Sequence, residues 1–126
     1  MLPFQIITLM KTLNAKLIKF PEHHKTYALS ILGNFIDYNE KKYINDRLEC
    51  LMSDIDLHGM THPIIVSWSG YNVSVGHQRV WYALQRGYTH IDCYHVENQA
   101  QWEKVYHFTQ SEDYWQKRYN SRYANL

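Results

Sequence analysis

Cysteine, net charge, long apolar runs and the signatures of common enzyme sites are all scarce in these 126 residues. The two cysteines, Cys50 and Cys93, have neither metal-ligand spacing nor an evident pairing partner. They read as packed thiols in a reducing compartment, which argues against a disulfide scaffold or a zinc knuckle. A formal net charge of +1 announces no global basic field, so any nucleic-acid contact has to come from a local patch. No stretch is long enough to cross a bilayer. The apolar run Met1 to Met10 is short and lacks a basic n-region and a cleavage site. The expectation is a cytoplasmic protein with no membrane partner. Met10 is an alternative start, and residues 1–14 are read as an N-terminal leader. Missing too are a Walker loop, a Ser/His/Asp order, a zinc pattern and paired carboxylates at general acid/base spacing. Glu97, Asp54 and Asp56 are carboxylates that could approach a site, and no spacing rule selects among them. His23 and His24 are adjacent, so they cannot face one point from a regular element, and no metal site is expected.

What is present is a 45% apolar chain of the length of one domain, with 11 tyrosines and four tryptophans. The most informative stretch runs from Gly59 to Val96. Ile64 to Trp68 is β-branched and aromatic and predicts a strand. Ser69-Gly70 is a two-residue turn signal. Tyr71 to Val75 predicts the returning strand, with Tyr71, Val73 and Val75 on one face. Gly76 then breaks the period of two. Val80, Ala83 and Leu84 recur at helical spacing, and Gly87 is placed to stop that helix. Ile91 to Val96 predicts a further strand.

A helix N-terminus carries partial positive charge, and a glycine before it lets an anion approach the backbone. Arg79 in the first turn adds a planar, permanently charged fork. Gly76-His77-Gln78-Arg79 therefore reads as a phosphate cradle. The structural alternative is a helix that merely starts after glycine and solvates its arginine.

Pro63-Ile64-Ile65-Val66, Tyr71 to Val75, Gly76-His77-Gln78-Arg79, Ala83 and Gly87 together resemble the core of the ParB/sulfiredoxin superfamily. Leu51-Met52-Ser53-Asp54-Ile55 before His62-Pro63-Ile64 is similar to sulfiredoxins as well. The resemblance covers roughly Leu48 to Val96. It implies an α+β fold: a small mixed sheet with flanking helices over residues 15–96. It also implies a nucleotide ligand, ATP or CTP, held by Gly76, His77, Gln78 and Arg79, with Mg2+ if a triphosphate is bound. Thr61 and His62 would lie beside the turn and reach a sugar or base, with solvation of that loop as the alternative. In ParB proteins the turn is usually Gly-Glu-Arg-Arg, and in sulfiredoxins it is Gly-Cys-His-Arg. Here Gly76 and Arg79 match both. His77 stands where the nucleophilic cysteine or the glutamate would be, which argues against sulfiredoxin chemistry and removes the turn's own acid. Nucleotide hydrolysis or phosphoryl transfer is within the family's range, and no catalytic residue is assigned.

Elsewhere, Ala15 to Phe20 predicts a first strand, ended by Pro21. Thr26 to Phe35 reads as a short helix or an irregular cover. Ile44, Leu48, Leu51, Met52 and Ile55 form a helical stripe, capped by Asp37 or Asn39 and stopped at Gly59. Glu97-Asn98-Gln99 is similar to the glutamate-asparagine stretch after the ParB core, which there helps to bind triphosphate. It leads into a helix with Trp102, Val105, Tyr106 and Thr109 as its apolar stripe. Residues 97–126 are read as a helical, aromatic-basic segment. In it Tyr114, Trp115, Lys117, Arg118, Tyr119 and Arg122 mix stacking faces with cations, the combination that single-stranded DNA or RNA requires. A non-catalytic nucleic-acid-binding or protein-interaction module is therefore the alternative function. The same aromatics predict a homodimer built partly on Glu97–Tyr119, against an alternative in which the ridge packs on its own sheet. The helix-turn-helix and dimerisation domains of ParB proteins are not expected within this length.

Overall fold

The computed structural model describes residues 9–33 and 46–109, and the following account concerns these. Five strands and three helices make the expected α+β fold. The strands are β1 (Thr12–Leu13), β2 (His24–Ala28), β3 (Ile64–Val66), β4 (Val73–Val75) and β5 (His90–His95). The helices are α1 (Asp46–His58), α2 (His77–Gln85) and α3 (Gln99–Thr109), with 3-10 turns at Pro21–His23 and Leu29–Ile31. No helix among the described residues is long and apolar enough to cross a membrane.

β5 is the axis of the sheet. β2 runs antiparallel along one edge, pairing His24 with Tyr94 through Ala28 with His90. The other edge is shared end to end by two parallel strands: β1 pairs with His90 and Ile91, β3 with Cys93 to His95. β4 completes the sheet beyond β3. Both faces are covered, so β3 and β5 are buried on both sides and read in the sequence as continuous apolar runs rather than alternating ones. Ile64, Val66, Ile91 and Cys93 join Ile55 of α1 and Val80 and Ala83 of α2 in one core. Ile65 and Tyr94 join Phe20, Val96 and Val105 of α3 in the other. α2 ends in a Schellman motif: Gly87 N–H bonds Leu84 O, Tyr88 N–H bonds Ala83 O, and Gly87 sits at φ 76°. α3 starts on Asn98, whose Oδ1 accepts from Gln101 N–H at 2.9 Å, while Gln101 Oε1 accepts from Glu97 N–H at 2.8 Å.

Four expectations need correction. Ala15 to Phe20 is not a strand. Ala15 forms a single bridge with Met60, and the amides of Lys16 and Leu17 bond Met60 O and Thr61 O. The segment is a strap laid beside residues 59–63, with Leu17 and Ile18 left exposed. Its anchor is the buried Asp92, whose carboxylate accepts from Ala15 N–H at 2.7 Å and Thr26 Oγ1 at 2.8 Å. Residues 24–28 are a strand, not a cover, because the open edge of β5 pairs with them. The central turn residues of the hairpin are Gly70 and Tyr71, both with positive φ, rather than Ser69 and Gly70. Val73 and Val75 face opposite cores, because the register shifts between Ile65 and Val66.

The α3 stripe closes this chain's own core. Val105 and Thr109 are buried. Trp102 stacks on Tyr106 at 4.5 Å and donates from Nε1 to Ser74 Oγ at 2.8 Å. The described part of the expected dimer face is thus packed intramolecularly. Asp37, Asn39 and Ile44 lie outside the described residues, as do Tyr114, Trp115, Lys117, Arg118, Tyr119 and Arg122.

Candidate functional site

The candidate site forms where β4 turns into α2. Gly76 is the N-cap of α2 at φ 101°, ψ 26°. Its carbonyl accepts from both Arg79 N–H at 3.0 Å and Val80 N–H at 3.1 Å, so the first turn winds tightly around it. A Cβ on Gly76 would lie 2.7 Å from Ile64 Cγ2. Two demands therefore converge on glycine here, a left-handed backbone and contact with β3. The result sets the start of α2 directly against the Pro63–Ile64 step.

Arg79 is half-buried, and its Nη1 donates to the carbonyl of His62 at 3.5 Å. This is a long bond, and it links the turn to the loop 59–63. Thr61 lies in the same loop, its carbonyl accepting from Leu17 N–H at 2.9 Å. The α2 start, which carries Gly76, His77, Gln78 and Arg79, and the loop that carries Thr61 and His62 are thus joined through Arg79 and the His62 carbonyl. Thr61, His62, His77, Gln78 and Arg79 are all engaged by partners.

His62 is not a solvated loop residue. It is 1% exposed, and its ring lies 4.8 Å from that of Phe108 on α3. What it visibly offers the turn is its carbonyl, while its imidazole belongs to the packing between the loop and α3. Two cations whose place no local pattern marks also lie here. Lys16 crosses Gly59, with Cε 2.8 Å from where a Cβ would be. Lys19 holds Nζ 4.3 Å from the centre of the Phe108 ring. Both come from the strap, and their placement depends on its pairing with residues 60 and 61, which no local pattern encodes. With Arg79 they surround the loop 59–63 with positive charge.

The carboxylates divide. Asp56 is occupied at the other end of α2: Tyr82 Oη donates to it at 2.6 Å, and Arg86 Nε and Nη2 at 3.2 and 2.9 Å. The Arg86 and Tyr82 hydrogen bonds hold its carboxyl below the usual range. Glu97 is exposed at the start of α3. Asp54 is buried on α1 and has a partner. Asn98 is committed to capping α3. Burial pushes the Cys93 thiol up to about 12, so it is a core side chain and no nucleophile. Among the described residues no group of three or more His, Cys, Asp or Glu could hold a metal ion.

No family model matches the chain, and no curated protein matches it. Among solved structures it is similar to a Pnob8-like ParB-N domain, at 15% identity and a TM-score of 0.48, over 64% of this chain. It is also similar to the C-terminally truncated chromosome-partitioning protein ParB from Caulobacter crescentus complexed with CTP-gamma-S, at 17% identity and a TM-score of 0.46, over 79% of this chain. The chain spans 32% of the length of the first and 69% of the second.

Proposed function

We propose that the Gly76–Arg79 turn binds a phosphate-bearing ligand, a nucleotide such as CTP or ATP. The observation that carries this reading is Gly76 itself. Its left-handed cap, with no room for a Cβ, presents the amide end of a nine-residue helix with an arginine in its first turn. The helix end favours negative charge, and the guanidinium matches two phosphate oxygens at once. Lys16 and Lys19 add to the positive field around the adjoining loop. His77, first residue of α2, is a hydrogen-bond donor toward the same ligand, and in its protonated form a proton carrier near neutral pH. A triphosphate would bring Mg2+ on its own oxygens. Hydrolysis or phosphoryl transfer would depend on a general base, and none is assigned at the turn.

Calorimetry tests this with CTP, ATP and inorganic triphosphate, each with and without Mg2+, on wild type, Arg79→Lys and Arg79→Ala. A charge-assisted phosphate contact is worth about 1.5–3 kcal/mol, so Arg79→Ala should weaken binding by roughly ten- to a hundredfold. Arg79→Lys should lie between, since it keeps the charge and loses the fork. No binding to wild type, or equal affinity in all three, removes the reading. Thermal melts of each variant separate lost binding from lost fold.

A further inference from the structure

The strap after β1 is pinned along its whole length. Asp92 and Tyr94 stand two positions apart on β5, on one face of the sheet, and take its two ends. The Asp92 carboxylate accepts from Ala15 N–H at 2.7 Å, and the Tyr94 hydroxyl accepts from Lys19 N–H at 3.0 Å. Between them, Lys16 and Leu17 N–H donate to Met60 O and Thr61 O, each at 2.9 Å. Phe20 is buried at the far end. A segment fixed in this way cannot roll inward, and it leaves Leu17 54% and Ile18 39% exposed. From Ala15 to Pro21 the charges are Lys16 and Lys19, with no carboxylate. The strap is therefore a rigid, solvent-facing Lys-Leu-Ile-Lys ridge. α3 ends against it. The Phe108 ring lies 5.5 Å from that of Phe20, Lys19 Nζ lies 4.3 Å from the Phe108 ring centre, and Thr109 is buried. The chain thus leaves its last described helix beside Lys19.

We infer that this ridge is the docking surface for residues 112–115 of the same chain. They read Glu-Asp-Tyr-Trp and lie outside the described residues. Reach, charge and order support the pairing. A chain advances at most about 3.5 Å per residue, so Glu112 and Asp113 stay within roughly 10–14 Å of Thr109, with Lys19 alongside Phe108. Glu112 and Asp113 are the sole acidic residues of 110–126, and the strap's charges are both lysines. Going away from α3, the strap presents Lys19 and then the aliphatic pair Ile18 and Leu17, while the segment presents two acids and then two aromatics. Running back along the strap, Glu112 and Asp113 meet Lys19, and Tyr114 and Trp115 cover Ile18 and Leu17. A surface ion pair is weak by itself, so covering the aliphatic pair supplies most of the free energy. The ridge is already ordered, and only the segment loses conformational freedom. A single-stranded nucleic acid would meet aliphatic side chains between the lysines, not stacking faces. A second copy would bring the same acids without the high effective concentration that the covalent link provides.

Carbodiimide cross-linking of the whole chain tests this, because it joins an amine to a carboxylate where the two meet. Wild type at low micromolar concentration should give a monomer with Lys19 joined to Glu112 or Asp113, located by peptide mass spectrometry. The double variant Leu17→Ser/Ile18→Ser keeps every charge and changes exposed side chains, so its melting curve should match wild type. Its yield of that cross-link should fall about tenfold. Chymotrypsin should cut it after Tyr114 and Trp115 about tenfold faster than wild type, since cleavage follows the undocked fraction. Absence of the cross-link overturns the inference. Equal yield and equal cleavage in wild type and the double variant overturn it too, because proximity to Lys19 would then need no docking on Leu17 and Ile18. A cross-link found solely in a covalent dimer overturns it by assigning the ridge to a second copy of the chain.

Discussion

Tyr71 and Gly76 both sit in the left-handed region of the backbone, at φ 55° and 101°, in one hairpin-to-helix stretch. At Gly76 the side chain is absent because nothing fits: Ile64 Cγ2 would lie 2.7 Å from a Cβ. At Tyr71 a large side chain is kept although the backbone disfavours it, and its ring is held edge-on by Tyr27 and at a tilt by His95. The same conformation thus serves two ends. One removes atoms so that the backbone of a helix start can approach its neighbour, and the other spends conformational strain to place a ring. The first position lets one backbone lie close to another, and the second fixes a ring against the sheet.

The largest expected effect comes from violating the first. Gly76→Ala forces an L-residue to φ 101° and drives its methyl into Ile64. Strain and overpacking together should cost about 3 kcal/mol, seen as a lower urea midpoint with an unchanged slope. Because the methyl meets Ile64 Cγ2, removing that atom with Ile64→Ala should make the cost of Gly76→Ala smaller than it is in the wild-type background, read as a double-mutant cycle. If Gly76→Ala melts like wild type, the contact with Ile64 is not what fixes the turn, and the contrast with Tyr71 fails.

Much of this geometry is legible in the residues themselves, and the division is instructive. Gly76 and Gly87 announce themselves because a left-handed residue at a helix end is a local demand, met within a few positions. The α2 stripe Val80, Ala83 and Leu84 lands in the core for the same reason, since helical spacing is local. Pairing is not. His24–Ala28 carries no clean alternation, and it becomes a strand because β5 offers an unfilled edge and Asp92 takes the Thr26 hydroxyl. Ala15 to Phe20 looks like a strand because of Leu17, Ile18 and Phe20, yet its position is set by Asp92 and by the carbonyls of Met60 and Thr61. The hairpin turn is displaced by one residue from the Ser69-Gly70 signal, and the register shift sends Val73 and Val75 to different cores. At the candidate site, the α2 start and Arg79 were readable. The burial of His62 under Phe108 and the approach of Lys16 and Lys19 were not, because each depends on a partner more than 40 positions away in the chain.

A smaller effect tests whether the turn acts through its own start or through the helix as a whole. Asp56 holds the far end of α2 through Arg86 and Tyr82. Those bonds depress its carboxyl, so the stabilisation is fully present above the unfolded aspartate pKa of about 3.9. It is lost as pH falls through the lower folded value. The Asp56 side chain is 43% exposed, and solvent screening keeps the contribution near about 0.5 kcal/mol. Asp56→Asn should therefore melt slightly below wild type at pH 7, and the difference should shrink as pH falls below the unfolded aspartate pKa and vanish below the lower folded value. Nucleotide affinity at pH 7 should match wild type. A large loss of affinity would mean that the whole helix, and not its first turn, carries the site.

The smallest expected effect is the sharpest test of the comparison. Tyr71→Gly relieves the left-handed strain, worth about 1–2 kcal/mol for a side-chain-bearing residue. It forfeits the ring contacts with Tyr27 and His95, worth about 0.5–1.5 kcal/mol in aromatic pairs. It also frees the unfolded chain by the extra entropy of glycine, about 0.5–1 kcal/mol. These contributions nearly cancel, so the unfolding free energy should stay within about 1 kcal/mol of wild type by urea titration. Tyr71→Ala keeps the strain and loses the ring, so it should be less stable than Tyr71→Gly. That order is the signature of a ring placed against the preference of its own backbone. If both variants are instead several kcal/mol less stable than wild type, the ring is a structural pillar of the hairpin. The two left-handed positions would then serve the same end, which is packing.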